Sequence, residues 1–465
     1  LQFLPEITQI AAGAAEDGVA RRPCLSDPDY LSRLRREAEE GALLHWAGAS
    51  GRCSLGGANC VCATEENVCQ AGPSLEAFRE WLRREYGGLA ALNQSWRTDF
   101  ADWDEALPLN CDEARSSGRA APWVDFRRFM EETFAGVHGL VRGQVRRADR
   151  GMAAGFRVLD DRNPSHGAWW PLLAGAGDFL AADYDPVTVE KLRSYQRAEA
   201  WTGVYFPDAR ALGGETRAAW IPWRALLRRI PAVWLGAPFG TAETPQPHAL
   251  LGADDTPHPA FAALAREMTA LKAGPGALLL HADPEKPAVL VYDSHASRHF
   301  NDVDREPGTS RDAQRGWVDC LEWLRVPWAF ADRQRLGMLD DPACRVLVLP
   351  RCTALDDMEI AAMARFAGRG GLLLADVLPA VADGHGALRE DFPLAPLFEE
   401  PPVPSGAPEG DTPPAPKALL LDRLLPPRDA GGDRSRIQAD YVRVREFLTR
   451  AGFPEPVILP EDFDG

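Results

Sequence analysis

The chain has 465 residues, 45% of them hydrophobic and 26% charged, the make-up of a globular protein with room for roughly two to four domains. Its formal net charge of -17 is the opposite of the basic surface that nucleic acid or an anionic membrane attracts, so neither is expected as a partner. No apolar run approaches the roughly 18 residues a spanning helix needs.

In chain order, a strand is expected near Gln2–Ile10, then at Ala42–Trp46, Met152–Leu159, Asp178–Asp183, Ala200–Phe206 and Ala232–Gly236. Helical patterns lie between them. Leu75–Arg84 repeats apolar residues at three and four, and Val124–Arg147 carries Phe126, Phe129, Met130, Phe134, Val137, Leu140 and Val141 on one stripe. Strands alternating with helices imply a parallel sheet with right-handed crossovers. The class is therefore α/β. Residues 1–275 are expected to form a (β/α)8-type (TIM) barrel that is only partial, lacking its first two or three units. Residues 286–395 alternate again, with strands at Pro287–Tyr292, Arg345–Leu349 and Gly371–Ala375 and helices at Gly316–Leu324 and Asp356–Phe366. That is a doubly wound, flavodoxin-like pattern. Ile360, Met363, Ala364 and Phe366 are expected to face inward. Residues 396–435, proline-rich between Pro401 and Pro416, read as loop or linker. Residues 436–465 read as a helix and a short strand at Val457–Leu459 that end the second domain. The start, LQFLPEITQI, lacks the features of a secretory leader. We read the chain as a piece of a longer, cytoplasmic protein.

Cysteines are uneven. Cys53, Cys60, Cys62 and Cys69 fall within one short stretch, and nine in all cannot pair completely, so a reducing compartment is the default. Four soft ligands at close spacing can build a tetrahedral zinc site. Free thiols and disulfides are the alternatives. The histidines are read as carrying no metal signal.

The stretch Phe78–Asp104, FREWLRREYGGLAALNQSWRTDFADWD, resembles the sequence after the fourth barrel strand of glycoside hydrolase family 42, the bacterial-type β-galactosidases. Phe78, Arg79, Trp81, Leu82, Tyr86, Leu89, Leu92, Asn93, Trp96, Thr98 and Phe100 match, while Arg97 stands where the family has Gly. Val346–Asp376 resembles the family's flavodoxin-like trimerisation domain. Pro222-Trp223, Ala225-Leu226 and the strand ending at Gly236 fit the end of its barrel. The resemblance implies a hydrolase acting on β-galactosides or related oligosaccharides, a retaining two-carboxylate mechanism with no cofactor required for catalysis, a homotrimer, and a zinc-binding Cys cluster in this loop, with tighter spacing than here.

The family's acid/base is a Glu at the end of strand four. Aligned through Ser54 and Leu55, that position falls on Arg52, which cannot donate a proton at neutral pH. Glu65 and Glu66 lie nearby in the Cys-rich insertion. No Glu ends the seventh strand, so Asp208, Asp185 and Asp161 are the catalytic candidates, because carboxyl ends of barrel strands face the site. A helix cap or loop role is the bland reading of each. Trp170, Trp201, Trp223 and Trp234 are candidate sugar platforms, with burial in a core as the alternative. A catalytically impaired, carbohydrate-binding protein is the second functional reading. Amidotransferase domains share the second architecture, but the matching turn, Leu374–Pro379, has no Cys to act as nucleophile.

Overall fold

The computed structural model describes residues 10, 13–14, 21–45, 51–62, 69–159, 162–197, 200–236, 239, 248–252, 254–283, 285–303, 309–398, 418–421, 434–450 and 452–453. They divide into two compact units: Leu1–Ala77 with Met130–Pro284, and Phe78–Phe129 with Glu285–Gly465. The expected strands at Gln2–Ile10 and Val457–Leu459 lie wholly or mostly outside the described residues, as does the stretch Pro401–Pro416.

The first unit opens with helix α1, Pro28–His45. Tyr30, Leu34, Ala38 and Ala42 are buried at a strict spacing of four, which puts them on one helical face. This corrects the strand expected at Ala42–Trp46. Helix-forming Arg, Glu, Ala and Leu on both sides of Gly41 carry the helix through His45, and Leu43 and Leu44 lie on its exposed side. After Gly51, which adopts a left-handed φ of 69°, strand β1 forms at Arg52–Ser54. Four more follow: β2 Ala153–Val158, β3 Phe179–Asp183, β4 Trp201–Phe206 and β5 Ala232–Leu235. All pair in parallel and in chain order. A sheet that adds each strand on the same side is the winding of a (β/α) barrel, here five strands of it. Helices α2 (Gly72–Tyr86) and α5 (Ala121–Ala148) fall between β1 and β2, and the boundary of the units runs through both.

Aromatic rings fill the inside of this sheet. Phe179 stacks on Trp201 at 4.7 Å, and Trp234 lies 5.5 and 6.0 Å from those two rings. Gly155 makes room for them: a Cβ there would sit 2.2 Å from the Phe179 carbonyl oxygen. The last strand, β5, is half-buried along its whole length, unlike β2, β3 and β4.

The second unit holds strands β6 Val289–Tyr292, β7 Trp328–Ala331, β8 Val346–Leu349, β9 Leu372–Ala375 and β10 Ala418–Leu420. They are parallel in the order β10-β9-β8-β6-β7, which is the flavodoxin-type winding. Two of these strands were not expected. Trp328–Ala331 is four residues long behind Pro327, and Ala418–Leu420 lies in the stretch read as linker. Helices α11 (His295–Val303), α12 (Ser310–Leu324), α13 (Asp357–Gly368) and α14 (Arg434–Arg450) complete the unit. On α13 the buried face is Glu359, Ala362, Met363, Phe366 and Ala367, whereas Ala364 is exposed and Ile360 half-buried.

Residues 78–129, expected in the barrel domain, pack with this second unit. Phe78 lies among Trp81, Trp96, Phe126 and Phe129 with ring centroids 5.3–6.3 Å away. Helix α3 (Leu89–Trp96) and helix α4 (Cys111–Ser117, closed by an Asn110–Glu113 capping box) lie in the same stretch. Cys111, Ala114, Trp123 and Val124 form a core with Ala296, Phe300, Ala354 and Ala382.

Candidate active site

In a parallel barrel the reactive end is the carboxyl end of the strands. The first strand reaches it later than its three ladder residues indicate. Leu55 N donates to Gly155 O at 2.7 Å, Asn59 N to Arg157 O at 3.1 Å and Leu159 N to Asn59 O at 3.1 Å, and Asn59 bridges Val158 in parallel. The carboxyl end is therefore Gly56–Asn59. Arg52 pairs with Ala153, the first residue of β2, and its guanidinium lies 5.4 Å over the Trp201 ring, at the amino end. The placement of Arg52 at the acid position is thus corrected by a whole strand length. Gly56, Gly57, Ala58 and Asn59 still supply no carboxylate. Asn59 is buried and engaged: its amide donates to Leu55 O and Gly56 O, and its Oδ1 accepts Ile10 N. Glu65, Glu66, Asp160 and Asp161 lie outside the described residues.

Neighbouring strand ends carry a charge network that sequence reading missed. Arg157 Nη1 meets Asp183 Oδ1 at 2.6 Å, and its guanidinium stacks 3.8 Å over the Tyr205 ring. Parallel register sets this up, since Arg157 faces Ala181 and Asp183 faces Tyr205. Burial pushes the Tyr205 phenol up, against the opposing pull of Arg157. Asp185 caps helix α7 (Pro186–Tyr195), accepting Thr188 N at 3.1 Å and its hydroxyl at 3.2 Å. Asp208, just past β4, accepts Ala211 N at 2.9 Å and lies 3.6 Å from Arg210.

Trp201 and Trp234 come together inside the sheet. Trp170 is wholly buried at the start of helix α6, Trp170–Ala176. Trp223, on helix α8 (Glu215–Leu227), donates from Nε1 to Glu267 on helix α9 (Pro259–Ala273) at 3.1 Å, away from the strand ends.

The thiols regroup as well. Cys24 is hydrogen-bonded to Cys69, a pairing that raises the Cys24 thiol and lowers Cys69. Arg21, wholly buried, acts electrostatically on Cys60, Cys62 and Cys69. It donates to Val61 O at 2.5 Å, to Cys60 O at 3.3 Å and to Pro23 O. Cys53 stands apart: burial pushes it up to about 12, reinforced by the negative charges of Asp178 and Asp149. Cys24 and Cys69 therefore pair, while Cys60 and Cys62 lie in the field of the Arg21 guanidinium. Cys24 is too far back in the chain for spacing to reveal it.

Three buried carboxyls of the second unit are displaced upward. Burial, then the charge of Asp293, pushes Asp332 to about 6. Burial, then Asp356, pushes Glu359 to about 7, while the Tyr292 hydroxyl donates to it. Burial pushes Asp376 to about 7, against donors from Arg351 N at 2.7 Å and Trp317 Nε1 at 3.1 Å. Elsewhere in that unit the fully buried Asp125 accepts from Tyr86 at 2.6 Å, Trp96 at 2.8 Å and His385 at 2.7 Å. Sequence reading also overlooked that His295 and His299 stand four apart on α11.

Residues 57–154 match the family model of the glycoside hydrolase family 42 β-galactosidases, which places that stretch in the family the sequence resembles. Solved structures share the fold. The β-galactosidase of the psychrophilic Marinomonas ef1 is 16% identical with a TM-score of 0.69, covering 95% of this chain and 77% of its own. That of the haloarchaeon Halorubrum lacusprofundi is 17% identical at 0.68, over 94% and 75%. That of Bacillus circulans sp. alkalophilus is 15% identical at 0.64, over 81% of this chain. The chain spans 59% of the length of this last enzyme.

Proposed function

We propose that the first unit is the sugar site of a β-galactosidase-type glycoside hydrolase, taking β-galactosides or related oligosaccharides at the carboxyl ends of β1–β5, and that it binds sugar far better than it cleaves it. One observation carries this reading: Gly56–Asn59 has no carboxyl group to act as the acid. Retaining hydrolysis needs an acid and a nucleophile about 5 Å apart. Loss of the acid costs about 10²–10⁴ in rate. Asp183 is a poor replacement, because Arg157 holds its carboxylate in an ion pair. The polar groups that remain, Arg157, Asp183 and Tyr205, are suited to holding hydroxyls in place. Calorimetric titration with galactose and lactose tests the reading. Saturable binding that Asp183→Asn weakens is expected. Absence of binding to either sugar overturns it.

Full retaining hydrolysis is the second reading. It is favoured by the place of Asp208, directly after the strand that carries the nucleophile in the resembled family, where it would attack the anomeric carbon.

The zinc centre expected on Cys53, Cys60, Cys62 and Cys69 finds little support in this arrangement, because Cys53 stands apart from the thiols that Arg21 acts on. Among the described residues the cysteine sulfurs do not gather within 4.8 Å of one another in threes, so these thiols as they stand do not fit a tetrahedral ion. The second unit serves subunit contact, in keeping with the expected trimer. Nine free thiols suit a reducing, cytoplasmic setting, and no helix among the described residues is long and apolar enough to cross a membrane.

A further inference from the structure

We propose that helix α11 carries a binding site for a divalent transition-metal ion, with His295 and His299 as its ligands and Asp302 as the carboxylate behind them. Residues four apart on a helix project from one face, the spacing by which paired histidines grip zinc on helices elsewhere. The two rings meet edge to face with centroids 4.9 Å apart, and a nitrogen of one lies within 4.8 Å of a nitrogen of the other. A shared ion with metal–nitrogen bonds of about 2.0–2.1 Å needs those nitrogens about 3–4 Å apart. A small turn about the side-chain bonds closes that gap.

The third residue on the same face is Asp302, seven beyond His295. Its Oδ2 lies 3.7 Å from Nδ1 of His299 and accepts no hydrogen bond among the described residues. At 3.7 Å the contact is electrostatic rather than a hydrogen bond; drawn in by a few tenths of an ångström, the carboxylate would fix the imidazole's tautomer and leave the other nitrogen for the metal. Its negative charge also offsets part of the charge that a divalent ion brings into a buried site.

The support is rigid, as a preorganised site requires. Ala296 and Phe300 anchor α11 in a core with Trp123 and Val124, and the His299 carbonyl accepts Trp123 Nε1 at 3.2 Å. Ser297, on the helix's other side, donates to Ala354 O at 2.8 Å and accepts Ala354 N at 2.9 Å. His299 is fully buried and His295 only half-buried, so the open coordination positions fall on the His295 side, where water completes the shell. Imidazole ligands with a carboxylate favour Zn²⁺, Ni²⁺ or Co²⁺ over Mg²⁺ or Ca²⁺.

The test titrates the whole chain with Ni²⁺ and Co²⁺, in wild type, His295→Gln, Asp302→Asn and Cys60→Ser. The half-buried His295 is chosen because replacing His299 threatens the fold, and circular dichroism checks each variant. Expected is a site in wild type whose Co²⁺ spectrum lacks thiolate-to-metal charge transfer. It survives Cys60→Ser, is lost in His295→Gln, and is weakened about tenfold in Asp302→Asn. A Co²⁺ spectrum of thiolate type alone, or Ni²⁺ binding unchanged in His295→Gln, overturns the proposal.

Discussion

The carboxyl ends of the two parallel sheets are equivalent places in topology and opposite ones in electrostatics. In the barrel unit the acids there are neutralised by partners: Asp183 by Arg157, while Asp185 and Asp208 accept backbone amides. In the flavodoxin-like unit Asp332, Glu359 and Asp376 are held by burial and displaced toward neutrality. Ion pairing and amide donors favour the charged carboxylate, whereas burial strengthens a carboxyl's hold on its proton.

The sharpest way to break this contrast is to remove the core of one unit and watch the other. Phe78→Ala deletes the ring at the centre of the aromatic cluster of residues 78–129. It is expected to destabilise the second unit by about 3–5 kcal/mol, with the Trp201 environment of the barrel unchanged in near-ultraviolet circular dichroism. A loss of signal from both units together would show that they do not unfold separately.

Next in size is the response to pH, which the two units should show with opposite signs. A carboxyl raised on folding stabilises fully below its unfolded value and loses that contribution as pH rises through its folded value. For Asp376 that window runs from its ordinary 3.8 up to about 7, and for Asp332 up to about 6. The second unit should weaken from pH 4 toward pH 7, and Asp376→Asn, which keeps the shape without the charge, should flatten the slope. Urea midpoints across that range measure it, and an unchanged slope would count against burial as the cause.

Asp178 gives the smaller, reverse effect in the barrel unit. Burial pushes it up, but Arg142, Ala154 N and Arg146 together outweigh that and hold its carboxyl below the usual range. Its contribution is present above 3.8 and lost as pH falls through the lowered value. Arg142→Gln should therefore cost about 1–3 kcal/mol at pH 7, and less at pH 3. Equal loss at both pH values would mean that Arg142 acts by packing alone.

Much of this was legible from hydrophobic period. β2, β3, β4 and β5 lie where apolar runs with sharp ends put them, and α5 follows its aromatic stripe. Ala42–Trp46 misled because a short apolar run has no period of its own, and only its continuity with Arg36–Glu40 marks it as helix. β10, three residues long, was too short to register, whereas β7, as long as β6, β8 and β9, was passed over directly behind Pro327. Arg52 misled because the chain after Ser54 runs on through Leu55–Asn59 before the strand ends, so aligning at Ser54 put the site one strand length too low. Cys24, and the membership of residues 78–129 in the second unit, depend on contacts far apart in sequence, which spacing cannot reveal. His295 and His299 were readable in the sequence and passed over.

The claim at the centre is that the barrel site holds sugar without an effective acid. The direct measurement is turnover of an aryl β-galactoside by wild type beside Asp208→Asn, on protein already found to bind galactose. Turnover at the background rate in both is the predicted result. Brisk hydrolysis by wild type that Asp208→Asn abolishes would contradict it, and would make Asp208 the nucleophile of a working enzyme.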